Sequence, residues 1–225
     1  MSVRVPRGVA ERIPEPALQS LRAVRRHGRL LAGRLTSPPG PARPPVRADA
    51  AARVLIGPAN FAGQAWAWAR AAERHLDDVD AVVMTIAGGG LGFDSDYAVP
   101  PKVFHSRRWQ TEQYDWIAGS FTHVFVDAMR SILGTRYGPD CGRELPVLAG
   151  AGVRVGLVAH GSDIRLGSRH RELYPWSPWN DPTWAHGARL EAQARRLGAV
   201  LTSYDGPTFV STPDLLDFAP VATWL

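Results

Sequence analysis

Short apolar runs alternate with segments typical of helices over most of this 225-residue chain. The first run, "ARVLIGP" at 52–58, ends in Gly-Pro and is typical of a strand buried on both faces. Strands that alternate with helices pair in parallel through right-handed crossovers. The alternation therefore predicts an α/β fold with a doubly wound, mainly parallel sheet and helices on both faces. The predicted strands are 52–58, 80–87, 101–105, 122–128, 153–160, 199–203 and 208–212, and the predicted helices are 61–76, 107–119 and 188–198.

The basic residues are concentrated at the N-terminus. Residues 1–50 contain ten Arg and three acidic residues, whereas residues 51–225 contain sixteen basic and eighteen acidic residues. A nucleic-acid-binding domain carries its positive charge on the folded surface, so we expect no nucleic-acid partner. The sequence predicts two regions, a basic Arg- and Pro-rich leader and linker at 1–50 and a folded domain at 51–225.

Two interpretations of the leader stay open. One is a disordered segment. The other is a basic amphipathic helix at 16–35 that rests on anionic lipid, since no acidic residue occurs from Pro16 to Arg47. The five prolines of Thr36–Arg47 predict an extended linker. With a single cysteine, no secretory signal and no membrane-spanning stretch, the sequence predicts a cytoplasmic protein, peripheral at the inner membrane surface in the second interpretation.

The loop after the first predicted strand, "GPANFAGQ" at 57–64, lies where α/β sheets bind ligands. It lacks the GxGxxG spacing of dinucleotide sites and the GK[ST] of a P-loop, so we expect no cofactor. Either it is only a turn with a helix cap, or the free N–H groups of the helix start meet a hydroxyl or an anion. The candidate binding residues here are Gly57, Asn60, Gly63 and Gln64. The glycine-rich "AGGGLGF" at 87–93 is too unspecific to assign.

"GLVAHGSDIR" places His160 at the end of a buried run and hence at the carboxyl edge of the sheet. Ser162 and Asp163 are good helix caps, and Arg165 is suited to clamp a carboxylate or phosphate. From spacing alone, His160 either helps to end a strand or faces a ligand. The four residues are candidates for the site, with His160 as the catalytic candidate.

Two other chemistries for His160 find weaker support in the sequence. A Ser-His-Asp hydrolase is compatible with the composition, but the chain has no GxSxG elbow. Zinc ligation by His160, His170 and His186 lacks an i, i+4 histidine pair and any cysteine pattern. The sequence therefore predicts no metal site.

Four aromatic residues follow within eleven positions: Tyr174, Trp176, Trp179 and Trp184. Such a cluster either stacks on sugar rings or anchors a proline-containing loop through hydrophobic contact. Trp176 and Trp179 are the candidates for ligand binding.

Three stretches together carry a family resemblance: "IGPANFAGQAWAWARA" after the first strand, "VAHGSDIR" at the end of a later one, and the terminal "FVSTPDLLDFAPVATWL". Over 51–225 the chain resembles the N-terminal half of bacterial GT-B glycosyltransferases of the large retaining group. The resemblance implies two Rossmann-like domains that face a cleft, without metal dependence. The N-terminal domain binds the acceptor and the C-terminal domain binds the nucleotide sugar.

The resemblance also implies roles for the candidate residues. The loop 57–64 would lie against the donor phosphates or the acceptor, and His160 would approach the transferred sugar, with Ser162, Asp163 and Arg165 on the same wall. The expected function is the acceptor-binding half of an enzyme that transfers a sugar from a nucleotide-sugar donor to a hydroxyl acceptor. The cationic pair and Glu-x7-Glu stretch of a donor domain are missing, so we expect a separate C-terminal half as partner. The alternative is a non-catalytic glycan- or glycolipid-binding module.

Overall fold

The computed structural model describes residues 39–88 and 92–225, and seven strands there form one sheet. In chain order they are β1 (Ala52–Gly57), β2 (Val79–Ile86), β3 (Tyr97–Val99), β4 (His123–Asp127), β5 (Arg154–Ala159), β6 (Thr208–Val210) and β7 (Thr223–Trp224). The order across the sheet is β3-β2-β1-β4-β5-β6-β7. Each strand runs parallel to its neighbours.

Helices connect the strands. They are α1 (Gln64–His75), α2 (Pro101–Phe104), α3 (Arg107–Ser120), α4 (Leu145–Gly150), α5 (Gly167–Leu173) and α6 (Gly187–Thr202). Short 3-10 turns occur at Phe61–Gly63, Gly161–Asp163, Pro178–Asn180 and Pro213–Asp217.

The strand side chains alternate between two hydrophobic clusters. Ile56 of β1 packs with Ala65 and Ala69 of α1. Its neighbour Leu55 belongs to the larger cluster, which contains residues of α3, α4 and α6. Successive residues of a strand point to opposite faces, so helices cover both faces. The predicted doubly wound parallel sheet is confirmed.

The prediction of a strand at 101–105 was wrong. These residues contain α2, which begins at Pro101, a position where the missing N–H would have no partner inside the helix. The strand of this region is β3, which lies just before it and pairs with β2 at one end of the described sheet.

The prediction of a strand at 199–203 was also wrong, because residues 199–202 form the last turn of α6 and Ser203 follows as its C-cap. Ala194, Leu197 and Leu201 are buried on one face of this helix, at the spacing that a helix requires. The seventh strand of the sheet is the short β7 near the end of the chain, where the sequence predicted no strand.

The strand order reverses between β1 and β4. From β1 the chain passes outward through β2 to β3, and then returns to place β4 on the other side of β1. Open α/β sheets bind ligands outside the carboxyl ends of the strands at such a switch point. Gly57 is the last residue of β1. A larger residue is disfavoured at this position, because a Cβ would lie only 2.7 Å from the carbonyl oxygen of Met84.

Residues 39–47 of the proline-rich segment have neither helix nor strand and lie against the sheet domain. The Arg43 guanidinium is 5.4 Å from the centre of the Trp116 ring. The Asp80 carboxylate accepts the backbone N–H of Arg47 at 2.6 Å. The basic segment at 16–35 and its expected membrane contact lie outside the described residues. Within the described ranges, no helix is both long and apolar enough to cross a membrane.

Candidate functional site

A buried aspartate–histidine pair lies at the carboxyl edge of the sheet. Asp127 is the last residue of β4, and His160 follows the last residue of the adjacent β5. His160 Nε2 and Asp127 Oδ1 are hydrogen-bonded. The Asp127 side chain is fully buried, and 11% of the His160 side chain is exposed. Asp127 Oδ2 is buried and has no hydrogen-bond partner among the described residues.

Two aromatic side chains hold the His160 ring. The Trp68 ring of α1 lies parallel to the imidazole, with ring centres 6.0 Å apart. The Phe61 ring meets it edge-on at 5.5 Å. The Arg130 guanidinium lies over the Phe61 ring, 5.0 Å from its centre. The imidazole is therefore fixed by a carboxylate at one end and by apolar walls, and a ligand can reach only its small exposed part.

Asp163 supplies a second buried carboxyl beside the pair. Its Oδ2 accepts the backbone N–H of His160 at 2.8 Å, which closes the turn Gly161–Asp163 onto the end of β5. Burial raises the pKa of the Asp163 carboxyl to about 6, and the nearby Asp127 acts in the same direction. The N–H of His160 and the charges of His160 and Arg130 lower this pKa, but burial outweighs them. Two carboxyl groups thus border one histidine.

The backbone turns sharply after Asp127. Ala128 and Met129 are fully buried and have positive φ angles of 56° and 51°. Non-glycine residues rarely adopt this left-handed conformation, and where they do the cost is of order 1–3 kcal/mol for each residue. Such strain is concentrated at functional sites in proteins, and here it immediately follows the carboxylate that holds His160.

The predicted residues of the 57–64 loop mainly shape the loop. Asn60 Nδ2 donates to the carbonyl of Asp94 at 2.9 Å, and Asn60 Oδ1 accepts the backbone N–H of Trp66 at 3.3 Å. Gly63 has a positive φ of 75° and packs against the Phe93 ring. A Cβ at this position would lie 3.2 Å from the nearest carbon of that ring. Gln64 begins α1 and is half-buried. In this loop it is Phe61, not one of the predicted residues, that reaches His160.

Arg165 already binds a carboxylate of its own chain. Its guanidinium pairs with Asp214 at 2.5 Å, and both side chains are partly exposed. Asp214 lies in the 3-10 turn that follows β6. Ser162 is half-buried in the turn after His160. The predicted anion clamp therefore already holds a carboxylate of the same fold through one terminal NH₂ group, while Nε of Arg165 is buried without a hydrogen-bond partner among the described residues.

The aromatic cluster is built around a second histidine. His170 is buried and Nδ1 lies 2.8 Å from Ser177 Oγ. The pKa of His170 is lowered, mainly by burial. The rings of four aromatic residues lie within 6.3 Å of the His170 ring centre: Tyr174, Trp176, Trp179 and Phe218. These contacts anchor the loop, which is one of the two roles predicted for the cluster.

Trp176 and Trp179 differ in accessibility. Trp179 packs against Gly167 so closely that a Cβ there would lie 2.1 Å from the indole. Trp176 is 71% exposed. Of the two predicted binding residues, only Trp176 offers a large free ring surface.

Sequence reasoning missed Asp127, Phe61, Trp68 and Arg130. A usable signal existed for Asp127, because an acidic residue directly ends the apolar run "HVFVD". A buried carboxylate must be paired or hydrogen-bonded. A partner for Asp127 could therefore have been expected at the end of a neighbouring strand. The other three residues are placed by the fold alone.

The described residues hold no cluster of three or more His, Cys, Asp or Glu side chains that could bind a metal ion. Residues 89–91 of the glycine-rich stretch at 87–93 lie outside the described ranges. No protein-family model, curated protein or solved structure matches this chain.

Proposed function

We propose that this chain is the acceptor-binding part of a glycosyltransferase, which transfers a sugar from a nucleotide-sugar donor to a hydroxyl acceptor. The observation that carries the proposal is the buried Asp127–His160 pair at the carboxyl edge, beside the switch point between β1 and β4. The resemblance of the segments 56–71, 158–165 and 209–225 to GT-B enzymes supports the same assignment.

The geometry suits a hydroxyl ligand. The hydrogen bond to Asp127 holds the imidazole of His160 in one orientation, as a carboxylate beside a catalytic histidine does. Because Nε2 is bound to Asp127, a hydroxyl ligand would hydrogen-bond to Nδ1, the nitrogen that also caps the backbone N–H of Asp163. Phe61 is 40% exposed and lies beside the ring, so it offers an apolar surface for the face of a sugar.

In this proposal the donor is bound by a second Rossmann-like domain. Positive charge is needed where the diphosphate leaves, and such electrostatic stabilisation is usually the largest contribution to catalysis. The role of His160 is to position the acceptor hydroxyl by a polar contact.

Saturation-transfer NMR with methyl α-glucoside, α-mannoside and α-galactoside (the glycoside panel) tests acceptor binding. We expect at least one glycoside to bind, and the dissociation constant to rise at least about tenfold in His160→Ala, as the loss of one buried polar contact predicts. Phe61→Ala, a partly exposed position that leaves the buried pair intact, should weaken binding as well. His75→Ala, at the exposed end of α1, is the matched control and should bind normally. Absence of binding to the whole panel, or equal binding by all variants, would contradict the proposal.

A second candidate function is non-catalytic binding of glycans or glycolipids. It is favoured by the 71% exposed Trp176 on a loop anchored by His170. This function predicts that Trp176→Ala abolishes binding of a glycan while Phe61→Ala leaves it unchanged. The opposite pattern identifies the carboxyl-edge site.

A further inference from the structure

A cavity of about 380 Å³ lies between helix α6 and the segment that connects β4 to α4, residues 128–144 (the β4–α4 loop). This volume falls within the range of small-molecule sites. The lining includes the backbone turn directly after Asp127, so the cavity adjoins the switch point. Its main polar side chains are Arg130, Ser131 and Thr135 from the loop, His105, and Gln193 and Arg196 from α6.

The loop that forms one wall is held from behind by a buried carboxyl. Glu144 is fully buried and accepts the backbone N–H groups of Ile132 and Leu133 at 2.8 and 3.0 Å, and it also contacts Ser131 Oγ. Gly134 follows with a positive φ of 75°, and a Cβ there would lie 2.4 Å from the carbonyl oxygen of Phe104. The wall is therefore preorganised, which lowers the entropic cost of binding a ligand.

The charges in the cavity are predominantly positive. Arg196 Nε binds Asp140 at 2.8 Å, so its two terminal NH₂ groups remain available. Arg130 forms no ion pair with any residue in the described ranges. Among the described residues, Asp140 is the one acidic residue in the lining. Thr135 Oγ accepts from Gln110 Nε2 at 3.4 Å, which leaves its hydroxyl hydrogen free to donate.

We propose that this cavity binds the anionic group of a small ligand, a phosphate ester or a carboxylate, between Arg130 and Arg196, with the Thr135 hydroxyl as a further donor. Guanidinium groups match the oxygens of both anions in a bidentate manner. The Arg130 guanidinium also lies over Phe61, so the anion site adjoins the surface assigned to the acceptor. The proposal rests on the charge and shape of the cavity and holds whether or not the chain acts in sugar transfer.

Isothermal titration calorimetry of the full chain with three probes tests the anion site. The probes are inorganic phosphate, glycerol 3-phosphate and succinate, with glycerol as the uncharged control. We expect saturable binding of at least one anion and none of glycerol. Arg130→Gln and Arg196→Gln should each raise the dissociation constant at least about tenfold, because each removes one charged hydrogen-bonding partner. Arg74→Gln, an exposed arginine at the far end of α1, is the matched control and should leave the constant unchanged.

The anions that bind identify the chemical class of the ligand. Binding of glycerol 3-phosphate alone identifies a phosphate ester, binding of succinate alone identifies a carboxylate, and binding of both supports the shared chemistry. No binding of any anion would overturn the proposal, as would an equal loss in all three arginine variants, which would show only non-specific attraction. Anion binding without any binding of the glycoside panel would support this cavity and contradict the proposed acceptor site.

Discussion

Replacement of Glu144 by Gln tests whether burial controls the charge of this carboxyl. Burial raises the pKa of Glu144 from its ordinary value of 4.5 to about 7, although Ser131 and the N–H groups of Ile132 and Leu133 act in the opposite direction. A raised pKa in the folded state gives a stability contribution that is fully present below about pH 4.5 and is lost as the pH rises to about 7. A rise of this size corresponds to about 3 kcal/mol.

Urea unfolding between pH 4.5 and pH 8, followed by tryptophan fluorescence, measures this contribution. The Gln side chain does not titrate, so the free energy of unfolding of Glu144→Gln should rise relative to the parent by about 3 kcal/mol across this range. Glu112→Gln, which removes an exposed partner of Arg108, is the surface control and should change by less than about 1 kcal/mol. If the stability of Glu144→Gln relative to the parent fell as the pH rose, the N–H groups would lower the pKa of Glu144 by more than burial raises it. That result would refute the claim that burial controls the charge of this carboxyl.

Three further predictions concern stability and are checked by the same unfolding measurement at neutral pH. His160→Ala should lower the free energy of unfolding by about 2–4 kcal/mol, because it leaves the buried Asp127 carboxylate without its partner; a change below about 0.5 kcal/mol would show that the pair is not formed. Gly57→Ala should cost about 1–3 kcal/mol, since its Cβ would press on a carbonyl of β2, and an unchanged stability would contradict the close approach. Trp176→Ala should change stability by no more than about 0.5 kcal/mol, whereas the fully buried Trp109→Ala should cost about 3–5 kcal/mol. Equal effects of the two tryptophans would be inconsistent with their burial.

The central strands could be predicted from sequence because they are covered on both faces. β1, β2, β4 and β5 are nearly continuous apolar runs, and each begins and ends within about two residues of its predicted bounds. The edge strands β3 and β7 are only three and two residues long, so no apolar run marks them. The apolar run at 199–203 suits a strand and a helix equally, and packing of α6 decides between them.

The candidate site was predictable in part. A histidine that ends a buried run must lie at the carboxyl edge of a parallel sheet, so the position of His160 followed from its sequence. Its partner Asp127 lies 33 residues earlier, and their contact depends on β4 and β5 being neighbours. Strand order is set by the crossovers and the packing of helices on the sheet, and apolar periodicity carries no information about it. For the same reason the approach of Phe61 and Trp68 to His160 could not be predicted.

NMR of the ¹⁵N-labelled histidine rings during titration with the glycoside panel tests the carboxyl-edge site most directly. Binding of an acceptor at this edge predicts a saturable shift of the His160 ring nitrogens, while those of His75 stay unchanged. A shift confined to His170 would place the ligand on the aromatic cluster. An unchanged His160 ring at saturating glycoside would contradict an acceptor site formed by the Asp127–His160 pair.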